Sequence, residues 1–346
     1  MISHDVFRNY SNNHVDSKSD NVQYVTLKSG NTLAYCCYGS KTAMPLFLLH
    51  GLGSDMYAYS YKYLIAHLVD AGYFVIVHDF RDSGLSSYIQ TNTNKKHYFK
   101  LIMKCIIEYF TMGNDMIKTK IKFPYTLEDI ASDTIELMDH LEIRHAHIFG
   151  HSMGGMVAQI VSFMYNERVL SLTLLNTSYG PSIGMYYPNV LRLYMLFNMV
   201  PNKSECPYEE LYKMRLKFCK INSGKNWDED LHGEIITKKI LSSILHENDK
   251  QENKKYGSLH QTMAVLRSPS RLVELQNMQI HPSSRIPIQI FHSEKDLIIP
   301  CKNSKFMNEF VPYTNLKIFK NDGHVKSKHI CNEIILYYKQ LMRHYK

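Results

Sequence analysis

Five short, continuously apolar runs dominate the chain and limit what it can fold into. They are LFLLH ending at His50, YFVIVHD ending at Asp79, AHIFG ending at Gly150, SLTLLN ending at Asn176 and IPIQIFH ending at His292. A strand apolar on both faces must be covered on both faces, and the stretches between these runs carry helical periodicity. That combination predicts an α/β fold with a mostly parallel central sheet flanked by helices. The helix ahead of the third run is the clearest. Thr126 is a candidate N-cap with Asp129 three residues on, and Leu127, Ile130, Thr134, Leu137, Met138 and Leu141 mark one face. Two strand-like runs precede the pattern, VQYVTL at 22–27 and TLAYCCY at 32–38, and Ser29-Gly30-Asn31 between them predicts a hairpin.

Three regions fall outside the alternation. Residues 1–20 read as a flexible polar tail, residues 91–123 as a Lys-rich insertion, and residues 181–256 as an inserted helical cap. The core is then expected in two parts, 21–180 and 257–346. Formal net charge is +8 over 346 residues. Seven lysines against Glu108 and Asp115 place a net +5 of it within 91–123. No nucleic-acid-binding module accompanies the charge, so no nucleic-acid partner is expected. Seven cysteines without a C-x-x-C indicate neither a zinc site nor a disulfide framework. No metal is expected, and the thiols are expected reduced in a cytoplasmic protein. The runs PLFLL and YFVIV are too short to cross a bilayer, and the N-terminus has no apolar stretch of signal-peptide type.

Chemistry concentrates at Gly150-His151-Ser152-Met153-Gly154, a G-x-S-x-G string followed by Gly155. An apolar strand runs into it and an apolar helix, MVAQIVSFMY, runs out. That is the setting of a nucleophile elbow, with Ser152 on a sharp turn and small neighbours where a Cβ would collide. A serine hydroxyl needs a base. Of 18 histidines, His324 in NDGH follows the run LKIFK and would hang over the strand ends. The acid should lie between Ser152 and His324. Asp296 in HSEKDLIIP is chosen, Glu294 is its rival, and Asn176 occupies an alternative acid position that it cannot serve by charge. Two oxyanion donors complete the set: Met153 N–H, next after the serine, and Leu52 N–H in the His50-Gly51-Leu52-Gly53 turn.

These segments resemble the α/β-hydrolase fold family. The matching stretches are HG at 50–51, DFRDSGLSS at 79–87, YTLEDIASD at 125–133, HIFGHSMGGMVAQ at 147–159, EKDLIIP at 294–300 and GH at 323–324. The form D-x-R-D-x-G-x-S, in place of the commoner D-x-R-G-x-G-x-S, is most similar to the aclacinomycin-methylesterase-type branch of ester hydrolases. By that resemblance Asp79, Arg81, Gly84 and Ser86 fix a loop beside the active site, and no cofactor is required. Epoxide hydrolases and haloalkane dehalogenases of this fold carry an aspartate where this chain has Ser152. Proline iminopeptidase-like enzymes usually carry tryptophan where it has Met153.

The expected function is that of a serine hydrolase cleaving a carboxylic ester of a hydrophobic small molecule or lipid. Thioesterase, lactonase and carbon–carbon bond hydrolase activities share the triad, and a binding protein of this fold with little turnover is a rival of another class. Gly51, His151, Met185 and Tyr186 are expected to line the substrate pocket, the last two from an apolar stretch opening the cap. The helix-like segment YFKLIMKCIIEYF at 98–110 leaves two readings open. It either packs its apolar side on the cap or makes peripheral contact with anionic lipid.

Overall fold

The apolar runs form the middle of a single sheet. A computed structural model describes residues 21–59, 61–91, 97–98, 100–104, 123–180, 208–245 and 256–344. Its strands are β1 (Gln23–Thr26), β2 (Thr32–Tyr38), β3 (Met44–Leu49), β4 (Tyr73–His78), β5 (Ala146–His151), β6 (Val169–Leu175), β7 (Ile288–Ser293) and β8 (Thr314–Phe319). They lie in the order β1-β2-β4-β3-β5-β6-β7-β8. β1 and β2 form the antiparallel hairpin, β2 is antiparallel to β4, and every later pairing is parallel.

Alternate residues of each strand feed two cores, as the period of two requires. Phe47, Leu49, Ile148, Leu174 and Ile290 face one side. There they meet Leu127, Ile130 and Met138 of α2 (Leu127–His140) and Val157 and Ile160 of α3 (Met153–Met164). Leu46, Leu48, Val75, Phe149 and Phe291 face the other side, under Ile330, Ile334 and Tyr338 of α9 (Lys328–Met342). Burial of each such side chain contributes roughly 1.5–3 kcal/mol. The N-terminus of α2 is closed by a reciprocal capping box between Thr126 and Asp129. A short helix α1 (Ala66–Asp70) precedes β4.

The register aligns Leu49, Gly150, Leu174, Ile290 and Leu316 in one row across β3, β5, β6, β7 and β8. The chemistry-bearing residues follow this row within a few positions, at the C-terminal edge where open α/β sheets bind ligands. Between β6 and β7 the chain forms α4 (Tyr208–Asn222), α5 (Glu229–Leu245), α6 (Gly257–Arg267) and α7 (Leu272–Ile280). Leu211 of α4 packs against Ile236 and Ile240 of α5. Helix α8 (Lys302–Phe310) joins β7 to β8.

The tail 1–20 and the cap residues 181–207 lie outside the described residues. So does most of the Lys-rich insertion. Its described part buries Tyr98 and Ile102 against Tyr256, Met263 and Leu266. Among the described residues, no helix is long and apolar enough to cross a membrane.

Candidate active site

Ser152 sits at the junction of β5 and α3 with φ 56 and ψ −122, a conformation that L-residues adopt only under constraint. The constraint is packing. A Cβ at Gly150 would lie 2.3 Å from Gly154 O, and one at Gly154 would lie 2.2 Å from Leu49 O. A Cβ on Gly155 would strike the Thr177 side chain at 2.6 Å. The three glycines therefore let the helix start press against β3 and β6, and that pressure forces the sharp turn. Ser152 N–H donates to Leu175 O at 3.0 Å, and Thr177 Oγ1 donates to Ser152 O at 2.7 Å. Ser152 remains partly exposed between the buried His151 and Met153.

His324 and Asp296 meet at the same end of the sheet, with His324 O 3.0 Å from Nε2 of His151, the residue before Ser152. His324 Nδ1 lies 2.7 Å from Asp296 Oδ2, and the Asp296 side chain is fully buried. The other carboxylate oxygen accepts the Ile298 and Ile299 N–H groups, both at 2.8 Å. Asp296 is thus oriented by backbone donors while it holds the imidazole. Glu294 is two residues away with a side chain 45% exposed, 3.8 Å from the Lys295 ammonium. It has no contact with His324.

Asn176 has a different use from the acid position considered for it. Its Nδ2 donates to Gly323 O and His324 O, both at 3.1 Å, and its Oδ1 accepts Ser293 N–H at 2.8 Å. One buried amide thus ties the histidine loop to the strand carrying the acid. A carboxylate could accept but not donate, so the neutral amide is what this junction requires. His151 adds a second tie, its Nε2 3.0 Å from His324 O and its ring 4.9 Å from the His324 ring. Burial, then the charges of Lys326 and His324, hold the His151 pKa well below the ordinary value. It is a neutral donor to the His324 carbonyl. Asp322 anchors the base of the same loop, accepting from Ser327 Oγ, from His329 Nδ1 at 2.9 Å and from Asn226 Nδ2 at 3.0 Å.

The turn after β3 passes over Ser152, with Gly51 so close that a Cβ there would sit 3.2 Å from the Ser152 Cβ. His50 is fully buried and its pKa is pushed down to about 3, chiefly by burial. Its Nε2 accepts Phe80 N–H at 3.2 Å, so Nδ1 carries the proton and donates to Gly51 O at 2.9 Å. Gly53 N–H donates to Gln261 Oε1 at 2.9 Å and Ser54 N–H to Gly51 O at 3.2 Å. Among the described residues neither Gly51 N–H nor Leu52 N–H has a hydrogen-bond acceptor, so the expected donor Leu52 N–H is not engaged elsewhere. Met153 is the first residue of α3, so its N–H has no carbonyl within the helix.

Residues 79–86 support this turn. Asp79 accepts Met56 N–H and Leu85 N–H, each at 2.6 Å, and Ser86 Oγ donates to Asp79 O at 2.7 Å. Burial, then Asp55, raises the Asp79 pKa to about 8. A Cβ on Gly84 would fall 2.0 Å from the Asp79 carboxylate. Arg81 forms a two-pronged pair with Asp133 at 2.7 and 2.6 Å. Asp82 stands where the commoner pattern has glycine, and its φ of 64 explains that preference. Its carboxylate accepts Ile89 N–H at 2.7 Å and meets His260 Nδ1 at 2.8 Å. Helix α6 therefore clamps two loops, through His260 and Gln261. Asn176 and Gln261 were not legible as site residues, because neither carries a charge or sits in a string that bears the chemistry.

Met185 and Tyr186 lie outside the described residues, so of the four expected pocket residues only Gly51 and His151 are placed at the site. A groove of about 670 Å³, lined by Tyr35, Phe74, His140 and Arg144 among others, opens at the opposite edge of the sheet, away from Ser152.

The sequence model of the alpha/beta hydrolase fold family matches residues 44–326. A bifunctional epoxide hydrolase 2 from Sus scrofa is 24% identical over 318 residues, 87% of this chain and 51% of that protein. The rhodomycin D methylesterase DnrP from Streptomyces peucetius is 26% identical over 137 residues, 40% of this chain and 36% of the methylesterase. The chain thus spans about half of the first relative and about a third of the second. Among solved structures, the esterase EaEST from Exiguobacterium antarcticum superposes with a TM-score of 0.62 at 18% identity, covering 93% of this chain and 98% of the esterase. A meta-cleavage product hydrolase from Pseudomonas fluorescens IP01 also reaches 0.62, at 17% identity over 94% of this chain and 98% of its own. With its elbow, its sheet order and a family match over residues 44–326, the chain belongs to the α/β hydrolase fold family.

Proposed function

We propose that the chain is a serine hydrolase that cleaves a carboxylic ester of a hydrophobic small molecule or lipid. The observation that carries this reading is the hydrogen-bonded His324–Asp296 pair, 2.7 Å, tied through His151 to the strained elbow of Ser152. In this mechanism Ser152 Oγ attacks the ester carbonyl while His324 Nε2 takes its proton. Asp296 accepts from Nδ1–H, which fixes the tautomer and stabilises the imidazolium. Leu52 and Met153 N–H groups hold the oxyanion. His324 then protonates the departing alcohol, and a water activated by the same imidazole releases the acid and restores Ser152.

Likeness to an esterase and a methylesterase supports the ester class, while Ser152 argues against the aspartate-based chemistry of epoxide opening. Thioesters, lactones and carbon–carbon substrates are the finer alternatives within the same triad. A fluorophosphonate probe tests the reading directly. Wild type should label, and Ser152→Ala should not. Absence of wild-type labelling would return the chain to a binding role. A panel of p-nitrophenyl esters of rising acyl length then measures the apolar preference, and a preference for acetate over medium chains would count against it.

A further inference from the structure

The more exposed Lys317 and Lys328 have carboxylates at 2.5 and 2.8 Å, from Glu333 and Asp228. Lys326 is only 7% exposed, yet among the described residues no carboxylate lies within 4.0 Å of it. A buried ammonium without an anion costs several kcal/mol. The groups acting on it are the thiols of Cys331 and Cys219 and the ammonium of Lys239. Burial first, with Lys239 adding repulsion, lowers its pKa to about 8. Burial also holds the Cys331 thiol protonated, near 12, so that side chain supplies no counter-charge.

The position of these cations is specific. Lys326 follows His324 by two residues, and its ammonium lies 4.6 Å from the centroid of the Tyr59 ring. The Tyr59 hydroxyl donates to Leu49 O at 2.6 Å, immediately before the oxyanion turn. On the far side of that turn, Lys239 Nζ of α5 donates to Ser54 Oγ at 2.7 Å and sits 3.6 Å from Asp55. Two cations from two segments thus flank the turn that passes over Ser152, with Asp55 the carboxylate that contacts one of them.

We propose that Lys326, with Lys239, forms an anion seat beside the turn over Ser152, so that the ester taken there carries a carboxylate or phosphate group. This rests on the hydrolase reading and names its substrate class. The substrate anion supplies the counter-charge that the described residues around Lys326 do not, and it gains charge-assisted hydrogen bonds there.

Two matched substrate pairs test it: p-nitrophenyl hexanoate against the p-nitrophenyl monoester of adipic acid, and a monoacylglycerol against its phosphate. The wild type should favour the charged member of at least one pair by about tenfold in kcat/KM. Lys326→Met and the less buried Lys239→Met should each shrink that ratio through KM. A preference for the neutral member in both pairs overturns the seat, as does a ratio unmoved by either variant. Binding is read separately: adipate or inorganic phosphate should raise the melting temperature of wild type more than that of the variants. If Ser152 labels with fluorophosphonate but neither anion binds or is preferred, the seat is wrong and the hydrolase reading stands. If an anion protects a protein whose serine does not label, the seat stands and the hydrolase reading falls.

Discussion

The two halves of the candidate triad are held in place by different physics. Ser152 is positioned by backbone exclusion: glycines at 150, 154 and 155 permit contacts under 3 Å to a would-be Cβ, and the chain has no other way through the turn. His324 and Asp296 are positioned by side-chain hydrogen bonding, through Asn176, His151, Asp322 and the 298–299 amides. Steric exclusion tolerates almost no substitution and is set by a short contiguous string. A hydrogen-bonded mount is drawn from distant segments, and individual members can be lost at graded cost.

The sharpest break in this comparison comes from the acid. Asp296→Asn should lower kcat by about 10³–10⁴-fold in a steady-state ester assay, because the imidazole loses both its tautomer control and its counter-charge. Glu294→Gln, two residues away and half-exposed, should stay within about twofold. Equal losses for the two would move the acid to Glu294.

Next in size is the elbow. Gly154→Ala places a Cβ 2.2 Å from Leu49 O and should cost about 3 kcal/mol or more, read by chemical denaturation. Gly30→Ala, in the hairpin with φ +82 but nothing within 4 Å, should cost only about 1 kcal/mol. If the two were alike, backbone torsion and not close packing would set the elbow.

Smaller again is the mount of the base. Asn176→Leu deletes both donations to the histidine loop and should lower kcat about 10–100-fold with KM little changed, at a stability cost of about 1–3 kcal/mol. A KM effect without a kcat effect would mean that Asn176 shapes the pocket and not the base.

The last effect is a slope. Burial, then Asp55, raises the Asp79 pKa to about 8 in the folded chain, above the ordinary carboxylate range, so stability should fall as pH rises from about 4 toward about 8. Asp79→Asn should flatten this part of the melting-temperature profile. An unchanged slope would show that Asp79 is ionised in the folded protein.

The same contrast explains what could be read before any coordinates. Short apolar strands, the Thr126–Asp129 cap and the glycine-flanked serine are local patterns, and each corresponds to a local cause in the structure. His324 and Asp296 could be chosen because their places after the last strands are fixed by chain order. Asn176 could be seen only as a failed acid, since its value lies in donating and accepting at once across three segments. Gln261 and Lys326 left no signal, because their roles come from what lies opposite them in space. The expected pocket residues Met185 and Tyr186, and with them the apolar stretch that opens the cap, lie outside the described residues.

One seam bears on how such a chain can be re-engineered. Just past α4, Lys225 N–H donates to Asn321 O at 2.7 Å, while Gly323 and Val325 N–H return bonds to Ser223 O and Asn222 O at 3.0 and 2.9 Å. Cβ atoms on Gly224 or Gly323 would meet backbone at 2.4 and 2.2 Å. The inserted helices and the base loop are therefore spliced, strand to strand, through residues 222–225 and 321–325. A chimaera that exchanges the insertion for a relative's should take its donor junction after residue 225, or it will import a new selectivity and discard the scaffold of the general base with the same cut.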